Sequence, residues 1–337
     1  MSKSKRGPDS EFIESINKRG KMILKRFQQT VVSGVSHPDL LSILTDVTRY
    51  WKDYFRPALT SFSCEAVGGK PNQADNASLM ITIMSAGLGI HDDIIDKSQI
   101  KHFRMTLPGL YNLEKALLAG DLLIVKALTV SKEILRECSP QKAAFAIEAF
   151  ESFFIEVWEG EYMEILCRKN LETKIDDYQK ILWKSTADTE ACARLGAVFG
   201  NGSPEEVEVL AEFGRRLGYM FRLRDEMKDC LNIEGNFYDR LKNESVPLPI
   251  LYAAKSSRRD YAIIKSILQK ADISSEEAQK ILEICFETEA LSYVRDIVRE
   301  NYAKATSKLR LLKRTIARDA LEAMAERCLS DTMTLTC

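Results

Sequence analysis

Glycine and proline are scarce in this sequence of 337 residues, which has 16 glycines and nine prolines. Both residues interrupt regular structure, so their scarcity predicts long unbroken elements. No stretch alternates between apolar and polar residues as a half-buried strand does. The pairs Ser139-Pro140 and Ser203-Pro204 are typical of helix starts, and Glu206 completes a capping box with Ser203. We therefore predict an all-α fold.

Cysteine spacing and charge exclude several classes of protein. The eight cysteines are scattered singly, without a CxxC pair or a Cys/His spacing that indicates zinc. The net charge of −1 gives no reason to expect nucleic acid as a partner. The uncharged stretch 77–90 is too short to span a bilayer and is typical of a buried core helix. Because no apolar segment follows the basic N-terminal residues, no secretory signal is expected, and we predict a cytoplasmic protein.

Apolar residues three and four positions apart recur through most of the chain, as on the buried face of a helix. We predict a single domain over residues 10–337 and a disordered N-terminus over residues 1–9. The predicted helices lie near residues 10–33, 38–55, 57–67, 74–98, 109–136, 141–169, 173–199, 204–232, 246–270 and, with breaks, 275–330.

Three aspartates, Asp92, Asp93 and Asp96, end the uncharged helix. Residues four apart share one face of a helix, so Asp92 and Asp96 point the same way. Clustered carboxylates repel each other unless a cation lies between them, and oxygen ligands suit Mg²⁺. The ordinary alternative is a solvated acidic helix end.

A second acidic cluster repeats this spacing in Asp225, Glu226 and Asp229, again after a largely apolar helical stretch. We predict that the two clusters are two walls of one metal–diphosphate site. On a helix, Glu226 is expected to turn away from the face that carries Asp225 and Asp229, so it should tolerate substitution best.

With these motifs the sequence resembles the trans-isoprenyl diphosphate synthases, also called the polyprenyl synthetase family. The resemblance covers residues 40–255 and rests on motifs in the family's order. They are Arg56-Pro57, the CEAVGG segment 64–69, DDxxD at 92–96, LAGDxLL at 118–123, Lys184-Ser185, Gly196-Ala197 and 221–229 for FQxxDDxxD.

The resemblance implies a bundle of about ten or more long, mostly antiparallel helices around a deep central cavity, and usually a homodimer. It implies an Mg²⁺-dependent enzyme that joins an allylic prenyl diphosphate to isopentenyl diphosphate. Catalytic roles then fall to the two acidic motifs and to Lys184. Glu161 and Glu164 stand where the family has residues facing the same cavity.

The cationic motifs depart from the family pattern. Asp53 and Tyr54 replace two basic residues before Arg56, Lys101-His102 replaces an arginine pair, and Arg222 replaces a glutamine. One alternative is that Arg56, Lys101, His102 and Arg222 still bind the diphosphates and the protein elongates prenyl chains. The others are a terpene-synthase-like reaction of one prenyl diphosphate, or a non-catalytic subunit of a heteromeric synthase.

The growing chain is expected to run along the helix before Asp92, past Leu88 and Gly87. No aromatic residue occurs between Ser63 and Phe103, so this helix has no bulky side chain that would stop a short prenyl chain. A product of about C20 or longer is therefore predicted. Alternatively, Tyr111 or the aromatic set 145–154 on a facing helix supplies the floor.

Overall fold

Helices form nearly all the regular structure of the computed structural model, which describes residues 8–101, 103–233, 237–270 and 272–335. Within these residues the all-α prediction is confirmed. The bounds are α1 Pro8–Val32, α2 Pro38–Tyr50, α3 Phe55–Ala66, α4 Asp75–Ile95, β1 Ile100–Lys101, β2 Arg104–Met105, α5 Leu107–Leu110, α6 Leu113–Glu137, α7 Pro140–Leu166, α8 Ile175–Lys184, α9 Ala187–Phe199, α10 Pro204–Cys230, α11 Phe237–Asn243, α12 Leu248–Ser256, α13 Arg258–Leu268, α14 Ser275–Glu287, α15 Ala290–Leu309 and α16 Ile316–Thr334.

Several helix starts follow directly from the sequence. Ser203 and Glu206 form the predicted capping box at the start of α10, and Ser274 and Glu277 form a second one at α14. The Ser139 hydroxyl accepts a hydrogen bond from a backbone N–H in the first turn of α7. These side chains satisfy N–H groups that have no partner inside the helix.

Two long predicted helices are interrupted, and the last predicted segment has breaks, as expected. The segment 173–199 breaks at Ser185 and Thr186 into α8 and α9. The segment 246–270 breaks at Ser257, whose hydroxyl caps α13. The last segment breaks at Glu289, which has φ of 56° in the left-handed region. None of these breaks contains proline or glycine, so composition gave no signal for them.

A short hairpin follows α4 and was not predicted. Lys101 pairs with Arg104 across β1 and β2, and Phe103 in the turn has φ of 59°. Strands of two residues are too short to show an alternating pattern. The hairpin matters because it returns Lys101 to the acidic end of α4.

Helix α4 lies in the middle of the bundle and packs against α1, α3, α6 and α9. Residues 79–84 of α4 are buried almost completely. Among the described residues, α4 is the one helix long and apolar enough to cross a membrane, and 61% of its apolar window is buried inside the structure. Such burial is typical of a core helix, and the acidic motif is therefore anchored on a rigid element.

Candidate metal and diphosphate site

The C-terminal end of α4 presents Asp92 and Asp96 on one face, as the spacing predicts. Glu161 of α7 completes the group, and the ligand oxygens of the three carboxylates lie within 4.8 Å of one another. Because α7 contributes the third acid, this cluster joins two helices.

Two cations from neighbouring segments contact the same acids. Lys101 Nζ lies 2.7 Å from Asp92 Oδ2, 3.0 Å from Asp93 Oδ1 and 3.8 Å from Asp96 Oδ2. Arg168, just after α7, lies 3.2 Å from Asp96 Oδ1. Lys101 therefore stands at the first acidic motif as a counter-ion, whereas we expected it to bind a diphosphate.

The pKa values of these acids show that the site disfavours the ionised form of two of them. Burial raises the pKa of Asp96 to about 9, and the Asp92 carboxylate adds to the rise. Burial also raises the pKa of Glu161 to about 8, again with repulsion from Asp92. Burial opposes ionisation of Asp92 as well, but the adjacent Lys101 ammonium outweighs it and lowers its pKa. The two cations thus keep Asp92 ionised, whereas burial holds Asp96 and Glu161 in the protonated form near neutral pH until a further cation binds.

This donor set fits Mg²⁺. The three oxygens of Asp92, Asp96 and Glu161 converge, all are hard ligands, and their mutual repulsion is the condition that a divalent cation relieves. A cation that retains water and binds substrate oxygens needs only one to three carboxylates from the protein.

The second acidic motif has different surroundings. Glu226 is 1% exposed, and the Arg240 guanidinium of α11 donates hydrogen bonds to both Glu226 and Asp229. The Tyr178 hydroxyl and the Leu248 N–H, at 2.7 Å, also donate to Glu226. The expectation that Glu226 would tolerate substitution best is therefore wrong, because it is the most enclosed acid of the motif.

The Asp225 side chain pairs with cations of its own helix and not with Arg240. Its Oδ1 accepts a hydrogen bond of 3.0 Å from Arg224 and lies 3.6 Å from Lys228 Nζ. Burial raises the pKa of the Cys328 thiol of α16 to about 12, and the Asp225 charge adds to the rise whereas Arg224 opposes it. Within the described residues, the cluster of potential metal ligands contains no member of the second motif. That the two motifs form two walls of one site stays a prediction, and the Arg240 charge beside the second motif contributes to lowering the pKa of Asp92 in the first.

A cavity of about 220 Å³ opens beside Asp92. Arg222 lies in its wall, and its buried Nε has no hydrogen-bond partner; its other contact is an ion pair of 3.7 Å to Glu164. Arg222 is therefore a cation in the wall of the cavity with one unused donor, and its role as a diphosphate ligand stays a prediction. The lining residues are Trp51, Arg56, Ser85, Leu88, Gly89, Asp92, Val157, Trp158, Glu161, Glu164, Ser185, Asp188 and Arg222.

Arg56 also lines the cavity, but carboxylates hold its guanidinium. Its Nε donates to Asp188 at 2.6 Å, and its Nη1 donates to Asp53 at 2.8 Å. Asp53 additionally accepts the Phe55 N–H at the start of α3. Asp53 thus orients Arg56 and the helix end as well as adding negative charge.

The remaining predicted residues fall in three groups. Leu88 lines the cavity, whereas Gly87 packs against α6, where a Cβ would come within 3.1 Å of the Gly120 carbonyl oxygen. This corrects the expectation that Gly87 borders the chain. Lys184 pairs with Glu159 at 2.8 Å and is absent from the lining. His102 lies outside the described residues.

A second, more apolar cleft of about 490 Å³ lies on the other side of α4 and also reaches Asp92. Trp51 borders both spaces, and its ring lies 3.2 Å from the position of a Cβ at Gly89. The cleft is lined by Val47, Tyr50, Trp51, Ala86, Gly89, Ile90, Asp92, Asp93, Lys101, Arg104, Met105, Thr106, Leu107 and Leu110.

Sequence reasoning assigned no role to Trp158, Asp188 or Arg240. Trp158 and Glu161 are three residues apart on α7, a spacing that places both on one face and could have identified them. Arg240 gave no such signal, because its partners are 11 and 14 residues away.

A helical bundle with a carboxylate cluster at the mouth of a cavity defines the class of isoprenoid synthase folds. The polyprenyl synthetase family profile matches residues 40–285. The chain belongs to this family.

Several known proteins are similar to it. A short chain isoprenyl diphosphate synthase of Methanothermobacter thermautotrophicus is 25% identical over 322 residues, covering 94% of this chain and 97% of the relative. A geranylgeranyl diphosphate synthase of Sulfolobus acidocaldarius is 25% identical over 279 residues, covering 80% and 84%. The crystal structure of geranylgeranyl pyrophosphate synthetase from Pyrococcus horikoshii superposes with a TM-score of 0.85 at 22% identity, covering 96% and 99%.

Proposed function

We propose that this protein is an Mg²⁺-dependent prenyltransferase of the cytoplasm. It condenses an allylic prenyl diphosphate with isopentenyl diphosphate to give a prenyl diphosphate of about C20 or longer. The observation that carries the proposal is the convergence of Asp92, Asp96 and Glu161 at the mouth of a cavity that also contains Arg222.

The roles follow from the contacts. Asp92, Asp96 and Glu161 would hold Mg²⁺, which when bound acts as a Lewis acid on the leaving diphosphate. Arg222 offers its unpaired Nε–H to a diphosphate oxygen, and such charge-assisted hydrogen bonds are strong. Lys101 lies close enough to the same acids to change partners when a diphosphate binds. Leu88, Val157 and Trp158 form an apolar wall that keeps water from a reactive carbocation.

Product length depends on Trp158. The cavity of about 220 Å³ is smaller than the roughly 300–1,000 Å³ typical of ligand sites, so a C20 chain requires Trp158 to move. Its ring packs edge-on against Phe154 at 5.9 Å and tilts against His91 at 5.7 Å. This arrangement supports the alternative that aromatic residues of a facing helix form the floor.

The deciding experiment uses the purified full-length protein with Mg²⁺ and a labelled allylic diphosphate, with and without isopentenyl diphosphate. We expect longer prenyl diphosphates only when both substrates and Mg²⁺ are present. Consumption of the allylic substrate that does not depend on isopentenyl diphosphate would contradict the proposal.

One observation favours a second candidate, a terpene-synthase-like reaction of a single prenyl diphosphate. Arg56 shares its charge with Asp53 and Asp188, which weakens any site for a second diphosphate. In the same experiment this reaction would yield hydrocarbon or alcohol without isopentenyl diphosphate.

A homodimer is also part of the proposal. Leu118, Val125, Leu128 and Leu135 of α6 are each at least 50% exposed and recur at intervals of seven and three residues, which places them on one face. Exposed apolar faces of this kind mark association surfaces. Light scattering should give twice the chain mass, and Leu128→Glu should give a monomer. A wild-type monomer that pairs only with a second synthase chain would support the heteromeric alternative.

A further inference from the structure

Arg240 is the most enclosed cation at the end of α10. Its side chain is 5% exposed, and it lies on the short helix α11. Burial of an isolated charge is very unfavourable unless ionic and hydrogen-bonded partners compensate for it. The environment of Arg240 must therefore supply those partners.

The partners are the acids of the second motif. One Arg240 nitrogen donates to Glu226 and another donates to Asp229. The remaining Nε lies 3.6 Å from Glu244. The guanidinium therefore lies between the two carboxylates that the resemblance assigns to metal binding.

The same carboxylates have little capacity left for a metal. Both oxygens of Glu226 accept from protein donors, one from Arg240 and the other from Leu248 N–H, and the Tyr178 hydroxyl lies within 3.3 Å of each. The Asp229 side chain is only 10% exposed. A divalent ion would have to displace a buried, bidentate guanidinium to reach them.

We propose that Arg240 is a built-in cation that occupies the place of a divalent metal on the second wall. The protein then binds its metal at Asp92, Asp96 and Glu161, without Glu226 or Asp229 as ligands. Arg240 is a positioning residue, because it fixes the end of α10 and the Leu248 N-terminus of α12 through Glu226. The inference rests on the proposed Mg²⁺-dependent function only for the role of the first wall.

The test counts Mn²⁺ bound to the full-length protein in the presence of inorganic pyrophosphate, by electron paramagnetic resonance. Mn²⁺ replaces Mg²⁺ at carboxylate sites and can be counted without any turnover. We expect Asp229→Asn to bind as many Mn²⁺ ions as wild type and Asp92→Asn to bind fewer. Loss of an Mn²⁺ ion in Asp229→Asn would overturn the inference.

A gain-of-site variant sharpens the result. Arg240→Gln should bind one additional Mn²⁺, and Arg240→Gln combined with Asp229→Asn should lose it again. Lys242→Met is the matched control on the same helix, since Lys242 is exposed and pairs with Asp272, and it should leave the count unchanged. A folded Arg240→Gln protein with no additional ion would contradict the inference.

The stability of Asp229→Asn decides the case in which Arg240→Gln does not fold. Asp229→Asn should lower the thermal midpoint by the same amount with and without Mn²⁺, because its partner is Arg240. A midpoint equal to that of wild type, or a decrease seen only with Mn²⁺, would overturn the inference. Failure of Mn²⁺ to bind through Asp92 would instead disprove the proposed function and leave these comparisons intact.

Discussion

The two acidic motifs share one spacing and differ in almost everything around it. At the end of α4, four carboxylates meet two cations, Lys101 and Arg168, and three ligand oxygens converge. At the end of α10, each acid has a cationic partner of its own or shares Arg240. The spacing of the acids therefore identifies acidic helix ends. Cations from neighbouring segments determine whether those carboxylates are still available to bind a metal.

The two counter-ions also differ in how firmly they are held. Lys101 comes from a two-residue strand, and its side chain is 27% exposed, so substrate or solvent can replace its acidic partners. Arg240 is 5% exposed and makes fork-like contacts with two acids. Lysine is a flexible point charge, whereas arginine is preorganised for such contacts. The counter-ion of the first wall can thus be exchanged, whereas that of the second wall is fixed.

Asp92→Asn should produce the largest effect on activity. Removing a ligand of the metal that neutralises the leaving diphosphate should lower kcat by ~10³-fold or more. Stopped-time product assays measure the loss. The fold should remain intact with a modestly lower thermal midpoint, because the lowered pKa of Asp92 shows that Lys101 stabilises its charged form. Near wild-type turnover at limiting Mg²⁺ would place the metal elsewhere.

Glu226→Ala should produce the largest effect on stability. It leaves Arg240 and the Leu248 N–H buried without their acceptor, and breaking a buried pair costs about 3–5 kcal/mol. Urea denaturation measures the difference. Glu226→Gln is the matched control, because the amide retains an oxygen for Leu248 N–H and should cost less. Equal stability of the alanine variant and wild type would break the comparison.

Trp158→Ala tests the path of the prenyl chain. The smaller side chain enlarges the cavity beside Leu88, so the product should lengthen by one or more five-carbon units. Leu110→Ala enlarges the cleft on the other side of α4 and should leave product length unchanged. Reversed behaviour of the two variants would place the chain in that cleft. Chromatography of the dephosphorylated products measures the distribution.

Gly87→Phe should act on stability and not on product length. Its ring would meet the backbone of α6 at Gly120, and overpacking of a core typically costs about 1–3 kcal/mol. Thermal unfolding measures the loss. A stable variant with shortened products would show instead that Gly87 borders the chain.

Asp225→Asn should produce the smallest effect. Its side chain is 44% exposed and pairs with Arg224 and Lys228, and such pairs contribute about 0.2–1 kcal/mol. Turnover should therefore change by less than about fivefold. A loss as large as that of Asp92→Asn would show that the second wall also binds metal.

Local patterns predicted the fold and the shared face of Asp92 and Asp96 because both depend on residues close in sequence, whereas Glu161 joins the first wall from another helix. The capping boxes at Ser203 and Ser274, and the shared face of Asp92 and Asp96, require no knowledge of distant segments. Arg240 pairs with the acids of the second wall, and Arg56 pairs with Asp188, which is 132 residues away. Neither pairing can be read from local spacing. Lys184 and Gly87 face neighbouring helices for the same reason: tertiary packing decides which face of a helix borders the cavity.

The most direct test of the difference between the two walls is to locate the metal. Crystals grown with Mn²⁺ and inorganic pyrophosphate, measured at the manganese absorption edge, reveal each ion as an anomalous peak. We expect density at Asp92, Asp96 and Glu161, and Arg240 still between Glu226 and Asp229. An anomalous peak between Glu226 and Asp229, with Arg240 displaced, would contradict the account.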